Sequence, residues 1–210
     1  MARDDWYRNT TWNEAIETDY QSRLRRARDK SRYLRIQASY LADRHPKVAL
    51  RLLDQYFALG EHFDIAQAFV DKARALKAED DLEGALQAYE AAIEREKSHP
   101  NLITQAYLDF ACLIADTNFD SLYYRALEVL DTHRTRPMFP VDRYRASGAR
   151  ALLLHSLGLE EEARSDATLA MTAASEIESG FRYHQQLGLV KDVDDDFGRR
   201  VAILARQAAQ

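Results

Sequence analysis

The chain has 210 residues, of which 46% are hydrophobic and 30% are charged, and its formal net charge is −5. It contains only 7 Gly and 4 Pro, less than half of the roughly 12% that these two residues contribute to an average globular protein. Because sandwiches, barrels and doubly wound sheets need a turn every few residues, this shortage argues against them and favours an all-α protein.

A single cysteine, Cys112, excludes an intramolecular disulfide and a cysteine-based zinc site. No signal sequence or membrane-spanning run is recognisable, so we expect a cytoplasmic location and no membrane partner. The first 50 residues carry 11 Lys and Arg against 7 Asp and Glu, whereas the next 50 carry 6 against 11. Proteins dedicated to nucleic acids are usually basic overall, so this acidic chain is not expected to be one of them.

An N-terminal capping segment is predicted over residues 1–29. Its main element is a helix over about residues 12–30. Thr11 and Glu14 have the spacing of a capping box at its start. Apolar residues recur every four positions in this helix, and that periodicity predicts one face that docks on the elements after it. The residues on this face are Trp12, Ile16, Tyr20 and Leu24.

Helical hairpins are predicted to repeat through residues 30–178. In residues 66–100, apolar residues recur at helical spacing on both sides of a polar break, which predicts two helices and a short turn. An earlier copy places Ala49 36 positions before Ala85. Two further copies follow, the last of them over residues 144–171.

The second copy has a small residue, Ala73, in its first helix, then Ala85, Tyr89 and Ala92 in its second, and a late Pro100. In the fourth copy the small residues are Ala151, Gly158, Ala163, Ala167 and Ala170. In these positions the copies resemble tetratricopeptide (TPR) repeats.

The resemblance implies an all-α, right-handed stack of about four TPR-like hairpins, an α-α superhelix, forming one domain over residues 1–210. Each hairpin of such a stack leaves an apolar face that only a neighbour or a cap can cover. We expect the C-terminal cap in residues 179–210, as an irregular segment over 179–195 followed by a closing helix over 196–207.

The resemblance also implies binding of a peptide or protein segment in a concave groove formed by the first helices. A mixture of cations, carboxylates and a histidine would suit a polar, partly charged ligand there. Apolar residues such as Leu34 and Val70 stand where a clamp for a chaperone tail needs polar groups, so that ligand is not expected. The candidate partner-binding residues near the groove are Arg35, Asp71, Arg74, Asp109, Cys112, Arg145 and His155.

Two aromatic segments are further candidates, because Trp, Tyr and Arg dominate binding hot spots. One is residues 6–12. The other is residues 181–184, in which Tyr183 and His184 are candidate partner contacts. The alternative for both is packing at the ends of the stack. Gly148 has two interpretations as well, either close packing or a place where a ligand comes near the backbone.

Seven cations fall within residues 23–35. They form either a solvated helix face paired with neighbours such as Asp19 and Asp29, or a surface for an acidic protein, or a surface for RNA. The first of these is the ordinary outcome, because the cations spread around the helix rather than forming one stripe.

Candidate chemistry is sparse elsewhere. The acidic run at residues 192–196 lacks the Gly and Glu of a calcium loop, so we interpret it as helix capping. The six histidines do not cluster, Cys112 lies in an apolar run, and no nucleotide-binding or nucleophile motif occurs. We therefore expect no catalytic residue, cofactor or metal.

The sequence predicts a non-enzymatic module that binds another protein or peptide, such as an adaptor, a dedicated regulator or an immunity-type neutraliser. The alternative is an RNA-binding helical-repeat protein that uses the Arg-rich N-terminal helix. The sequence leaves the partner's identity and the oligomeric state open.

Overall fold

A computed structural model describes residues 5–117 and 119–206. Within these ranges the protein is all-α, with ten α-helices, a 3-10 turn at Asp120–Leu122 and no β-strand. None of the described helices is both long and apolar enough to cross a membrane. The helices are α1 (Glu14–Arg26), α2 (Lys30–Leu41), α3 (Pro46–Ala58), α4 (Ile65–Ala78), α5 (Leu82–Ser98), α6 (Ala106–Thr117), α7 (Tyr123–Thr132), α8 (Pro140–Ser156), α9 (Glu160–Ala174) and α10 (Asp196–Arg206).

The chain forms two compact units that divide after Ala106. In the first unit α2 packs on α3, α4 packs on α5, and α3 also packs on α4. In the second unit α8 packs on α9, α7 packs on α8, and α10 contacts both α8 and α9. Short connections make α2–α3, α4–α5 and α8–α9 helical hairpins, since the chain must reverse for consecutive helices to pack side by side.

The aromatic residues before α1 pack against the first unit, as the packing alternative predicts. The Trp6 ring lies 4.9 Å from the Tyr33 ring and 5.3 Å from the Tyr20 ring. Tyr20 and Leu24 are buried, in agreement with the predicted apolar face of the N-terminal helix. These aromatic residues pack against a core to which α1, α2, α3 and α4 all contribute.

The predicted boundaries of the N-terminal helix are wrong at both ends. Asn13 caps α1, because its side-chain oxygen accepts a hydrogen bond from the Ile16 amide at 2.9 Å, and the predicted Thr11–Glu14 capping box is therefore displaced. The helix ends at Arg26 because Ala27 is extended, with ψ of 140°. Asp29 then caps α2 by accepting from the Arg32 amide at 3.2 Å, so the cationic run is divided between two helices.

The predicted closing helix is present as α10, which begins at Asp196 and is described as far as Arg206. Asp195 caps it by accepting from the Gly198 amide at 2.7 Å, as the capping interpretation of the acidic run predicts. Gly148 allows α10 to pack closely on α8, because a Cβ at this position would lie 2.7 Å from the Phe197 ring. The suggestion that a ligand approaches the backbone at Gly148 is therefore wrong.

The irregular segment between α9 and α10 is anchored to the start of α8. The Val141 amide donates to the Gly188 carbonyl oxygen at 2.8 Å, and the Phe181 ring lies 5.2 Å from the Phe139 ring. Gly188 has φ of +70°, and a Cβ there would lie 2.5 Å from Phe139. Both the backbone conformation and the space thus require glycine at this position.

Candidate functional site

The candidate residues of the first unit form one connected group of charges. Arg35 on α2 forms ion pairs with Asp64 and with Asp71, whose Oδ2 lies 3.3 Å from Arg35 Nη1. Arg74 on α4 pairs with Asp43, and its Nη1 lies 3.6 Å from Asp71 Oδ1. The structure therefore brings Arg35, Asp71 and Arg74 together, but each already has a partner within the protein.

The two carboxylates beside Arg35 have opposite pKa shifts. Asp71 is fully buried, and this burial raises its pKa against the opposing charge of Arg35. Burial also acts on Asp64, but hydrogen bonds from Tyr56 and Arg35 outweigh it, so the pKa of Asp64 is lowered. The Tyr56 hydroxyl donates to Asp64 Oδ1 at 2.7 Å. This geometry is that of a structural tie between α2, α3 and α4.

The second unit has a similar pair. Arg145 Nη2 on α8 donates to Asp109 Oδ1 on α6 at 2.7 Å. The two residues are 36 positions apart, which is also the separation of Arg35 and Asp71. Cys112 lies beside this pair, with its Sγ 3.9 Å from the Arg145 carbonyl oxygen.

Cys112 should be inert to thiol reagents in the folded protein. The residue is buried, and burial raises its pKa to about 11. A free cysteine has a pKa of about 8.5, so at pH 7.5 the thiolate fraction of Cys112 should be lower by more than about 100-fold. Labelling with iodoacetamide followed by mass spectrometry should show modification only after denaturant is added. Rapid labelling of the folded chain would contradict this expectation.

The other three candidates lie apart from these pairs. His155 Nδ1 lies 3.0 Å from Glu160 Oε1, across the turn between α8 and α9. Tyr183 and His184 are in the irregular segment, where Tyr183 is 81% exposed. The Arg182 guanidinium lies 5.4 Å from the centre of the Tyr183 ring.

The sequence did not indicate one concave feature of the second unit, a cavity of about 360 Å³ between α7, α8 and α9. We call it the α7–α8–α9 cavity. Tyr107 lines it, its ring stacks on the His133 ring at 5.0 Å, and the Arg136 guanidinium lies 5.7 Å from the centre of the Tyr107 ring. The apolar and aromatic part of the lining comprises Tyr107, Leu130, Pro137, Ala146, Leu169 and Ala173.

Ion pairs surround this apolar surface. Arg150 on α8 pairs with Asp131 on α7 and, at 2.9 Å, with Asp166 on α9. Burial raises the pKa of Asp166 against the charge of Arg150. Arg143 Nη2 lies 2.6 Å from Glu176 Oε2, just beyond the end of α9. These pairs tie the three walls of the cavity together.

Three exposed apolar side chains either line the cavity or directly follow a lining residue in the chain. Leu169 lines it and is 53% exposed, Met138 follows the lining residue Pro137 and is 60% exposed, and Ile177 follows the lining residue Glu176 and is 79% exposed. Large apolar side chains that are grouped at a concave surface mark interaction sites more often than isolated ones do.

The α7–α8–α9 cavity lies on a different face of α8 from the Asp109–Arg145 pair. Arg143, Ser147 and Arg150 line the cavity and share one face of α8, being separated by four and three positions. Arg145 is two residues from Arg143, about 200° around the helix, and so points the other way. The spacing of the three lining residues on α8 is visible in the sequence. The rest of the lining comes from residues that are far apart in the chain, between Tyr107 and Glu176.

The N-terminal cations divide into paired and unpaired groups. Arg23 Nε pairs with Asp19 at 2.9 Å, as expected for a solvated helix face. Four other cations near the junction of α1 and α2 are exposed, and within the described part of the chain none of them forms a side-chain ion pair. These four, which we call the basic corner, are Arg25, Arg28, Lys30 and Arg32.

The described residues contain no group of three or more His, Cys, Asp and Glu side chains placed to hold a metal ion. No family model, curated protein or solved structure matches this chain. Its function is therefore inferred from the geometry of its own residues.

Proposed function

We propose that the protein is a TPR-like helical-repeat module of the cytoplasm that binds a partner protein and catalyses no reaction. The hairpins α2–α3, α4–α5 and α8–α9 support a repeat organisation. The 36-residue separation that Arg35–Asp71 and Asp109–Arg145 share supports it too. On this proposal the chain is a stack of about four hairpins, closed by caps at its two ends.

The α7–α8–α9 cavity is the observation that carries the binding proposal. Its volume falls within the range of about 300–1,000 Å³ in which most ligand pockets lie. It combines an apolar lining with charged walls, which is the arrangement of an apolar centre and a polar rim in protein–protein interfaces. By contrast, the candidate charges on the first helices have internal partners that a ligand would need to displace.

Replacing Leu169 by glutamate should abolish partner binding. The new carboxylate would stand at the mouth of the apolar surface, where its desolvation opposes burial of an apolar group. Because Leu169 is half exposed, stability should change by only about 0.5 kcal/mol. The measurement is quantitative affinity purification from host cells, with the wild-type and variant chains compared by mass spectrometry.

The matched control is Ile203→Glu, because Ile203 on α10 is 55% exposed and does not line the cavity. A partner of the cavity should be recovered with the wild type and with Ile203→Glu, but not with Leu169→Glu. If every recovered protein binds Leu169→Glu as well as it binds the wild type, the cavity is not the binding surface.

RNA binding is the second candidate function, and the basic corner is the observation that favours it. If this surface binds single-stranded RNA, the chain should be retained on immobilised poly(U) at about 0.15 M salt. Replacing Arg25, Arg28, Lys30 and Arg32 by glutamine should then reduce the slope of log affinity against log salt by about 3, since each phosphate contact contributes about 0.7.

The control for this test is the pair Lys47→Gln and Lys77→Gln, which removes two exposed cations outside the basic corner. Equal retention of the fourfold variant and the wild type, or no retention of the wild type, would eliminate the basic corner as an RNA site.

A further inference from the structure

The charges around the α7–α8–α9 cavity are almost completely paired with one another. Arg150 forms ion pairs with Asp131 and Asp166, and Arg143 forms one with Glu176. Arg143 also donates a hydrogen bond to the Met138 carbonyl oxygen at 2.7 Å. The carboxylates of the lining are therefore already engaged by arginines of the same lining. A cationic partner group would find no free carboxylate among them.

Arg134 is the exception. It lines the cavity and is exposed, and within the described residues no hydrogen bond or ion pair engages its guanidinium. Its charge reaches the cavity, because it is one of the groups that lower the pKa of Asp166 against the effect of burial. Arg136 is not free in this way, because its guanidinium lies over the Tyr107 ring.

The apolar part of the cavity is preformed. Tyr107 is buried and contacts both the His133 ring and the Arg136 guanidinium, and the ion pairs of Arg150 join α8 to α7 and to α9. A preformed apolar surface favours a large, rigid side chain, because little ordering entropy is lost on binding. Leucine and the aromatic residues meet this requirement best.

We propose that the α7–α8–α9 cavity binds a partner segment in which a large apolar side chain lies close to a carboxylate. The apolar side chain fills the space next to Tyr107 and Leu169, and the carboxylate pairs with Arg134. This inference rests on the proposed function, since it specifies the chemistry of the partner at the same cavity.

The test is selection of a phage-displayed random peptide library on the full chain, with Leu169→Glu used to remove peptides that bind elsewhere. We expect the selected peptides to carry Asp or Glu within a few positions of Leu, Phe, Tyr or Trp. The best peptide is then synthesised, and its affinity is measured by calorimetry for the wild type, Arg134→Gln, Arg134→Glu and the Ile203→Glu control.

Arg134→Gln should weaken binding of the peptide by about twofold to fivefold, the usual range for an exposed charge pair, and Arg134→Glu should weaken it further. Higher salt should reduce wild-type affinity more than that of Arg134→Gln. Ile203→Glu should bind like the wild type.

The two proposals fail in different ways. Peptides that need Leu169 but lack an acidic residue, or that bind Arg134→Gln unchanged, would overturn this inference and leave the proposed function intact. If no peptide distinguishes the wild type from Leu169→Glu, both proposals are wrong.

Discussion

Replacing Gly198 by alanine should loosen α10 from the second unit, at a cost of about 2–3 kcal/mol. A Cβ at this position would lie 2.2 Å from the Val193 carbonyl oxygen and 2.8 Å from the Tyr144 hydroxyl oxygen. Because the obstacle is a backbone carbonyl and not the end of a flexible side chain, either α10 or the segment around Val193 must move. Urea unfolding should show the loss of stability, and hydrogen exchange should show faster exchange across residues 196–206 than across α8.

Gly148→Ala is the informative comparison. The nearest obstacles to its Cβ belong to side chains, the Phe197 ring at 2.7 Å and Val201 at 3.2 Å. Phe197→Leu should therefore restore part of the stability that Gly148→Ala loses, but none of the stability that Gly198→Ala loses. Unchanged unfolding and exchange in Gly198→Ala would show that α10 does not pack as described.

The contrast between α10 and Gly148 shows which parts of the fold were predictable. The closing helix follows from local signals, namely Asp195 as cap and the apolar residues Val201 and Leu204 at helical spacing. The role of Gly148 depends on Phe197, which is 49 positions away in the chain. Periodicity along one helix predicts that a face is buried, but it does not predict which distant element covers it.

The same limit applies to the candidate site. Arg35 and Asp71 are 36 positions apart, and the predicted repeat would place them at equivalent positions of successive first helices, close to one another. Whether such charges face a ligand or each other depends on side-chain distances, and both arrangements fit the same sequence. The α7–α8–α9 cavity was missed because its walls come from four helices and two loops between Tyr107 and Glu176.

Replacing Arg35 by methionine should cost about 3 kcal/mol at pH 7, the lower end of the range for breaking a buried ion pair. The variant leaves Asp71 fully buried, with Arg74 at 3.6 Å as its remaining cation. Gln67 and Ser39 also face this carboxylate, but neither carries a charge. The double variant Arg35→Met with Asp71→Leu should recover most of the loss, because it removes the uncompensated charge together with its partner.

The loss caused by Arg35→Met should also depend on pH. Burial raises the pKa of Asp71 in the folded state above its unfolded value, so the penalty for its charge is present at neutral pH and is relieved as the pH falls through the folded pKa. Asp64 acts in the same direction, since losing Arg35 removes one cause of its lowered pKa. Urea unfolding between pH 7 and pH 4 should therefore show a shrinking difference between the wild type and Arg35→Met, with a smaller pH dependence in the double variant.

Arg51→Met is the matched control, because Arg51 also pairs with a carboxylate, Glu17 at 2.6 Å, but is half exposed. An exposed pair contributes about 0.2–1 kcal/mol, so this variant should lose far less stability than Arg35→Met. Equal losses in the two variants would show that Asp64 and Asp71 do not hold Arg35 in place. Arg35 would then be available to a ligand, as the groove prediction requires.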